Sequence, residues 1–402
     1  MRLRSIAWAG LAGVALAALL HSGALVFAAL SAAALAALIV MTRRRVFVAV
    51  SFERTLSRRV VSWGAELEVT MSVVNAKLLP LLWMRVRDEW PAGLEPLGFS
   101  LRPVVHHGTQ AFVQTVSVRW YERLRRRYRV RCGERGLYRF GPVELEAGDP
   151  FGFAAATQTL EVREELAVLP RVLDVPSFEL LTGHPLVEQE VAHSLAYDHT
   201  ALRGIRAYRP GDPRRAINWR ATARRGELQT NEFEPTSLAA ARLLLDVSTP
   251  RKAWQGIDPE LLELLCVVTA SLAAAFAAHG SGVGLASNAR LARDWRPVDI
   301  EPAEGALPEV LAALARVLPY ANRDLAGVLD DEFADESGSA DCVVVTAALR
   351  PGVRGRVAQL RAERPTIVVF VGRPTDAEAP LVDFVVPGDF DWRSSDALPL
   401  QA

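Results

Sequence analysis

Arg242-Leu-Leu-Leu-Asp246-Val-Ser248-Thr-Pro250 is an apolar run that ends in a carboxylate and a hydroxyl. Residues 242–247 read as a buried strand, and in parallel sheets function usually sits at the carboxyl ends of the strands. Downstream, Asp258-Pro259 opens an apolar helix reaching about His279, where Gly280 stops it. A strand over 282–286, a helix from about Pro308 to Val317, a strand over 342–346, a helix over 353–363 and a strand over 366–371 follow. Alternating strands and helices predict an α/β domain with a mostly parallel sheet over 241–402.

Immediately upstream lies the densest signal in the chain. Residues 203–226 hold eight Arg and one Asp: Arg203, Arg206, Arg209, Arg214, Arg215, Arg220, Arg224, Arg225 and Asp212. Pro210-Gly211 suits the centre of a type II turn. Asp212 is an expected N-cap, Pro213 the first helical residue and Gly226 the stop, with a strand over 227–234 to follow. On a helical wheel these arginines form no single stripe, so a flat nucleic-acid face is not what the spacing builds. They either organise the fold through paired hydrogen bonds to carboxylates and carbonyls, or form an anion or acidic-partner site. Composition does not choose between the two.

The pattern Arg206-x-Tyr208-x-Pro210-Gly211-Asp212-x-x-Arg215-x-Ile217-x-Trp219, continued through Ala223-Arg224-Arg225-Gly226-Glu227-Leu228, resembles the bacterial membrane proteins called domain of unknown function 58. Gly141-Pro142, Asp149-Pro150-Phe151-Gly152 and two N-terminal apolar runs support the resemblance, which covers nearly the whole chain. It implies a von Willebrand factor A-like C-terminal domain and association with MoxR-type AAA ATPases, and it implies no established enzymatic activity. Arg206, Tyr208, Pro210, Gly211, Asp212, Arg214, Arg215, Trp219 and Arg224 are then the expected partner- or anion-binding residues. In metal-binding von Willebrand A domains the strand exit reads Asp-x-Ser-x-Ser, oxygens that suit Mg²⁺ or Mn²⁺. Here Asp246 and Ser248 remain and Pro250 takes the third position. A later strand end, where such relatives often carry Asp, reads Val345-Thr346-Ala347-Ala348. The site is expected to be degenerate, with no metal and no cofactor, and Asp246 to cap the following segment or meet a motif arginine.

Residues 46–172 read as an all-β, sandwich-like domain. Ala65–Val73 alternates apolar and polar residues, and Tyr128, Val130 and Cys132 alternate with Arg127, Arg129 and Arg131. The arginine run 123–131 is either a solvated sheet face or a surface near anionic lipid. RNA binding lacks interleaved aromatic residues. His106-His107, neighbours on a strand, would point to opposite faces and share no metal.

Ser5–Thr42 carries no charge. Two apolar runs, Ser5–Leu20 and Ala24–Met41, are split by His21-Ser22-Gly23, which predicts two transmembrane helices in a hairpin over 1–45. Arg2, Arg4 and Arg43-Arg44-Arg45 flank them, placing both ends inside by the positive-inside rule. A cleaved signal peptide followed by a stop-transfer helix is the rival reading. Either way the expected location is the inner membrane, with residues 173–240 as a linker carrying the motif and the soluble domains in the cytoplasm.

Net charge is zero: residues 1–45 hold five Arg and no acid, 46–173 hold 18 basic and 14 acidic residues, and 246–402 hold 14 and 23. No nucleic-acid partner is expected. The three cysteines, Cys132, Cys266 and Cys342, form neither a disulfide framework nor a CxxC pair. There is no GxSxG, HExxH or P-loop, and His193 and His199 do not share a helix face. The leading expectation is a non-catalytic, membrane-anchored adaptor. The alternative is an enzyme that uses Asp212 and its arginines on an acidic or phosphorylated substrate.

Overall fold

The computed structural model describes residues 23–103, 109–149, 155–176, 178, 197–207, 218–235, 240–249, 256–293, 295–334 and 340–401. They fall into two compact units, Met1–Val168 and Leu169–Ala402.

The first unit starts with helix α1 (Gly23–Arg45). The first of the two expected membrane runs, Ser5–Leu20, lies outside the described residues, as does the pair His106-His107. Strands follow as β1 (Val50–Leu56), β2 (Val60–Val61), β3 (Glu66–Asn75), β4 (Leu81–Pro91), β5 (Leu94–Leu97), β6 (Arg102–Pro103), β7 (Thr109–Val118), β8 (Glu122–Cys132), β9 (Gly136–Phe140), β10 (Val143–Gly148), β11 (Ala155–Leu160) and β12 (Glu164–Val168). One antiparallel sheet runs β1-β3-β8-β5, a second β11-β10-β4-β7-β6, and a small third β2-β12-β9. The alternating residues explain why the first two share a core. Leu67, Val69, Met71 and Val73 of β3 share a buried core with Met84, Val86 and Trp90 of β4, while Glu68 and Thr70 between them stay partly exposed.

A buried charge network closes this core. Arg54 of β1 pairs with Asp88 of β4, donates from Nε to Glu164 at 2.6 Å and from a terminal nitrogen to the Val162 carbonyl at 3.0 Å. Trp90 Nε1 donates to the other Asp88 oxygen at 2.6 Å. Burial pushes the Asp88 carboxyl up to about 6, against the pull of Arg54. Gly141 must be glycine here: its φ is +88°, and a Cβ would lie 2.1 Å from the Val162 oxygen.

In the second unit a hairpin of β13 (Tyr197–Ala207) and β14 (Gln229–Pro235) flanks the short helix α2 (Trp219–Arg225). Then come β15 (Ala240–Leu245), α3 (Pro259–Ala278), β16 (Gly282–Leu291), β17 (Pro297–Ala303), α4 (Leu307–Arg316), β18 (Val317–Ala321), α5 (Leu325–Ala334), β19 (Asp341–Thr346), α6 (Pro351–Glu363), β20 (Thr366–Val371) and β21 (Phe384–Val386). The sheet order is β17-β16-β15-β19-β20-β21, with β18 also against β16. The pairs from β16 through β21 are parallel, and β17 and β18 join antiparallel, so the sheet is mixed at one edge.

Helix α3 is long and apolar enough to cross a membrane, yet 67% of its apolar window is buried as core. Asp258 caps it, accepting from the Glu260 and Leu261 amides at 3.0 and 3.3 Å. The one charge within β15, Arg242, is buried and held by Glu332 at 2.9 Å, Asp299 at 2.5 Å and the Ile300 carbonyl at 2.6 Å.

Candidate functional site

Strand β15 delivers Asp246 to the carboxyl end of the parallel sheet, between the ends of β16 and β19. Its side chain is buried, and donors converge on both oxygens. Oδ1 accepts from the Ser248 amide at 2.9 Å and from Asn288 Nδ2 at 2.7 Å. The Thr346 hydroxyl lies 3.1 Å from Oδ2. Asn288 also donates to Ser248 Oγ at 3.0 Å and accepts from the Val247 amide at 2.9 Å. Burial pushes the Asp246 carboxyl above its ordinary range, and the bonds from Ser248, Asn288 and Thr346 pull the other way.

The Ser248 amide bond is the capping role expected of Asp246, here an Asx-type turn at the strand exit. Donors, rather than further acceptors, surround the carboxylate, which suits a structural lock better than a cation. Among the described residues no group of three His, Cys, Asp or Glu is placed to hold a metal ion. Thr346, at the later strand end read from the sequence, and Asn288, beyond the strand read over 282–286, complete this cluster.

A cleft of about 350 Å³ opens beside Ser248, lined by Ile257, Asn322, Arg323, Asp324 and Arg350 among others. Arg350 lies 3.6 Å from Asp324, so the wall carries one neutralised pair and the further cation of Arg323, itself paired with Asp331.

The arginine motif is described in part. Arg206 sits on β13 opposite Thr230 of β14. Tyr208, Pro210, Gly211, Asp212, Arg214 and Arg215 lie outside the described residues, as do His193 and Pro250. The described helix α2 begins later than the capping signal at Asp212 predicts. Asn218 caps it, accepting from the Ala221 amide at 2.9 Å, and Gly226 ends it at φ 76° as expected.

Helix α2 buries none of its residues. Trp219 is 68% exposed, and Arg220, Arg224 and Arg225 are exposed with no carboxylate partner among the described residues. The last-turn arginines face the negative end of the helix dipole, which favours them locally. That accounts for a fraction of a kcal/mol and leaves the indole and three guanidinium groups facing solvent.

Residues 204–390 match the family described as Protein of unknown function DUF58. Uncharacterized protein YeaD of Bacillus subtilis is 26% identical over 332 residues, covering 81% of this chain and 76% of that protein. Among solved structures, the CARDB domain of a Pyrococcus furiosus protein in complex with di-metal ions aligns at a TM-score of 0.20. It is 15% identical and covers 30% of this chain and 91% of that one. A cohesin module from a Clostridium perfringens family 33 glycoside hydrolase aligns at 0.21, with 12% identity over 29% of this chain and 96% of that one. These structural likenesses are too remote to carry an argument.

Proposed function

We propose that this protein is a non-catalytic, membrane-anchored adaptor or scaffold. It presents a von Willebrand A-like α/β domain in the cytoplasm to a MoxR-type AAA ATPase, in cell-envelope or complex-assembly processes. The observation that carries the reading is helix α2, with Trp219 and three arginines exposed and no carboxylate partner among the described residues. Tryptophan and arginine are the residue types that dominate binding energy when a partner desolvates them. Unpaired guanidinium groups also draw an acidic surface at long range.

The membrane part of the reading rests on α1. Its 23 residues rise about 34 Å at 1.5 Å each, enough for a hydrocarbon core of about 30 Å. Arg44 and Arg45 at its end are exposed, which favours a cytoplasmic β unit. The strand-end cluster supports a presenting role, since its hydrogen bonds fix residues 246–248 at the exit of β15 without reference to a ligand.

The test is gentle extraction of the full-length protein from its native membrane, with crosslinking and mass spectrometry of what accompanies it. Wild type is expected to carry an AAA ATPase, and the Arg224→Glu, Arg225→Glu double variant to lose it at equal expression and folding. An ATPase held equally by both moves the contact away from α2. Absence of any ATPase removes the adaptor reading and makes substrate screening for an enzyme the next step.

A further inference from the structure

Among the described residues of the β unit beyond α1, six large apolar or aromatic side chains are more than half exposed. Five of them, Val48, Leu78, Leu82, Trp120 and Tyr121, cluster at the end where α1 joins the sheets; the sixth, Val60, lies past the far end of β1. The register fixes this end, because Val50 pairs with Asn75 and Asn75 with Glu122.

Three loops are tied together there. Lys77 donates to the carbonyls of Val46 and Val48 at 2.5 and 3.0 Å, and the Ala76 amide to the Ala49 carbonyl at 2.8 Å. Asn75 Nδ2 bridges the carbonyls of Leu79 and Arg119 at 3.0 and 2.9 Å. The turn after α1 is itself plugged into the core by Val46, which is 1% exposed. The loop tips are therefore held rigidly outward, and Tyr121 holds its ring out with a left-handed backbone, φ 50°.

Charge follows the same gradient along β8. Far from α1, Arg127, Arg129 and Arg131 have glutamate partners at 3.6, 3.5 and 3.9 Å. Near α1, the guanidinium groups of the exposed Arg119, Arg123 and Arg125 have no carboxylate partner among the described residues, the Glu122 carboxylate there accepting from the Arg119 amide at 2.5 Å, and Arg44 and Arg45 stand three to six residues from the first loop and strand. Tryptophan and tyrosine with flanking arginines are what the headgroup layer of a bilayer selects.

We infer that these three loops form an interfacial foot, seated on the anionic headgroup layer of the leaflet that α1 leaves, with Leu78, Trp120 and Tyr121 in the interface and Arg119 and Arg123 on phosphates. The inference rests on the membrane reading of α1. Its consequence is that the β unit is fixed to the bilayer rather than swinging on a tether.

The experiment places a spin label at Leu78→Cys, Val60→Cys or Phe27→Cys of the full-length protein in phosphatidylglycerol-containing nanodiscs. The three native cysteines are buried, so the label is selective. Collisions with a water-soluble nickel chelate are then measured. Leu78→Cys is expected to be shielded at least about fivefold relative to Val60→Cys, and to lose that shielding with Arg119→Glu and Arg123→Glu.

Tyr121→Gly relieves the left-handed strain, so it should keep or raise stability while weakening the shielding. A Leu78→Cys label as accessible as Val60→Cys, beside a shielded Phe27→Cys label, overturns the foot and leaves the anchor. An accessible Phe27→Cys label removes the anchor itself. Equal shielding of Leu78→Cys in lipid-free amphipol would mean a protein occupant and overturns the lipid assignment.

Discussion

Two arginine-rich stretches of this chain differ in what surrounds them. On β8, Arg127, Arg129 and Arg131 lie beside Glu68, Glu66 and Glu95 of neighbouring strands, forming an exposed ladder that is electrically balanced. On α2, Arg220, Arg224 and Arg225 stand beside an exposed Trp219 with no such partners among the described residues. Arginine density alone therefore says little. The sheet supplies its own counter-charges at strand spacing, and the short helix leaves its cations available to another molecule.

Buried arginines set the upper end of this scale. Arg54→Met should destabilise the β unit most, by about 3–5 kcal/mol in chemical denaturation, because the buried Asp88 must either stay charged without its cation or take up a proton. A loss under about 1 kcal/mol would show that the pair is replaceable. Next, Asp246→Ala should remove about 2–3 kcal/mol from the α/β unit by taking the shared acceptor from Ser248 N, Asn288 Nδ2 and the Thr346 hydroxyl, of which Asn288 keeps Ser248 Oγ and Thr346 keeps the Ala348 carbonyl. Asp246→Asn should cost less than about 1 kcal/mol, since the amide retains the shape and one acceptor. Millimolar Mg²⁺ should leave the melting temperature of wild type unchanged, whereas a bound ion would raise it.

The Asp88 carboxyl sharpens the comparison through pH. Its folded-state value, about 6, lies above the ordinary 3.8, so the folded state holds its proton more tightly. The associated stability is complete below about 4 and is lost as pH rises through about 6. Asp88→Asn should flatten that part of the stability profile. The smallest effects belong to the surface: Arg127→Ala and Arg129→Ala should each change stability by about 0.5 kcal/mol or less. Arg224→Glu with Arg225→Glu should likewise leave stability unchanged within about that margin while abolishing partner recovery.

Much of this was readable along the chain. Apolar runs give β15 and β19, the run 366–371 coincides with β20, and Asp258-Pro259 and Gly280 bracket α3 because capping chemistry is local. Alternation on β3 and β8 identifies their inward faces for the same reason. The antiparallel edge strands β17 and β18 did not stand out, since their pairing with β16 is decided by contacts distant in sequence. Arg54 and Asp88 carry no local sign that they will meet across two sheets. At the strand end Asp246 and Ser248 were legible from their spacing, but Asn288 and Thr346 reach them from 42 and 100 residues away. The motif helix was anticipated from Pro213 and Gly226; its described start at Trp219 is set by Asn218, a good cap in its own right.

The most direct measurement puts a photoreactive phenylalanine in place of Trp219 in the full-length protein, followed by irradiation in native membranes and mass spectrometry of the adducts. The account predicts adducts with a AAA ATPase, suppressed by Arg224→Glu and Arg225→Glu. Adducts confined to this chain itself, or unchanged by those substitutions, would contradict it.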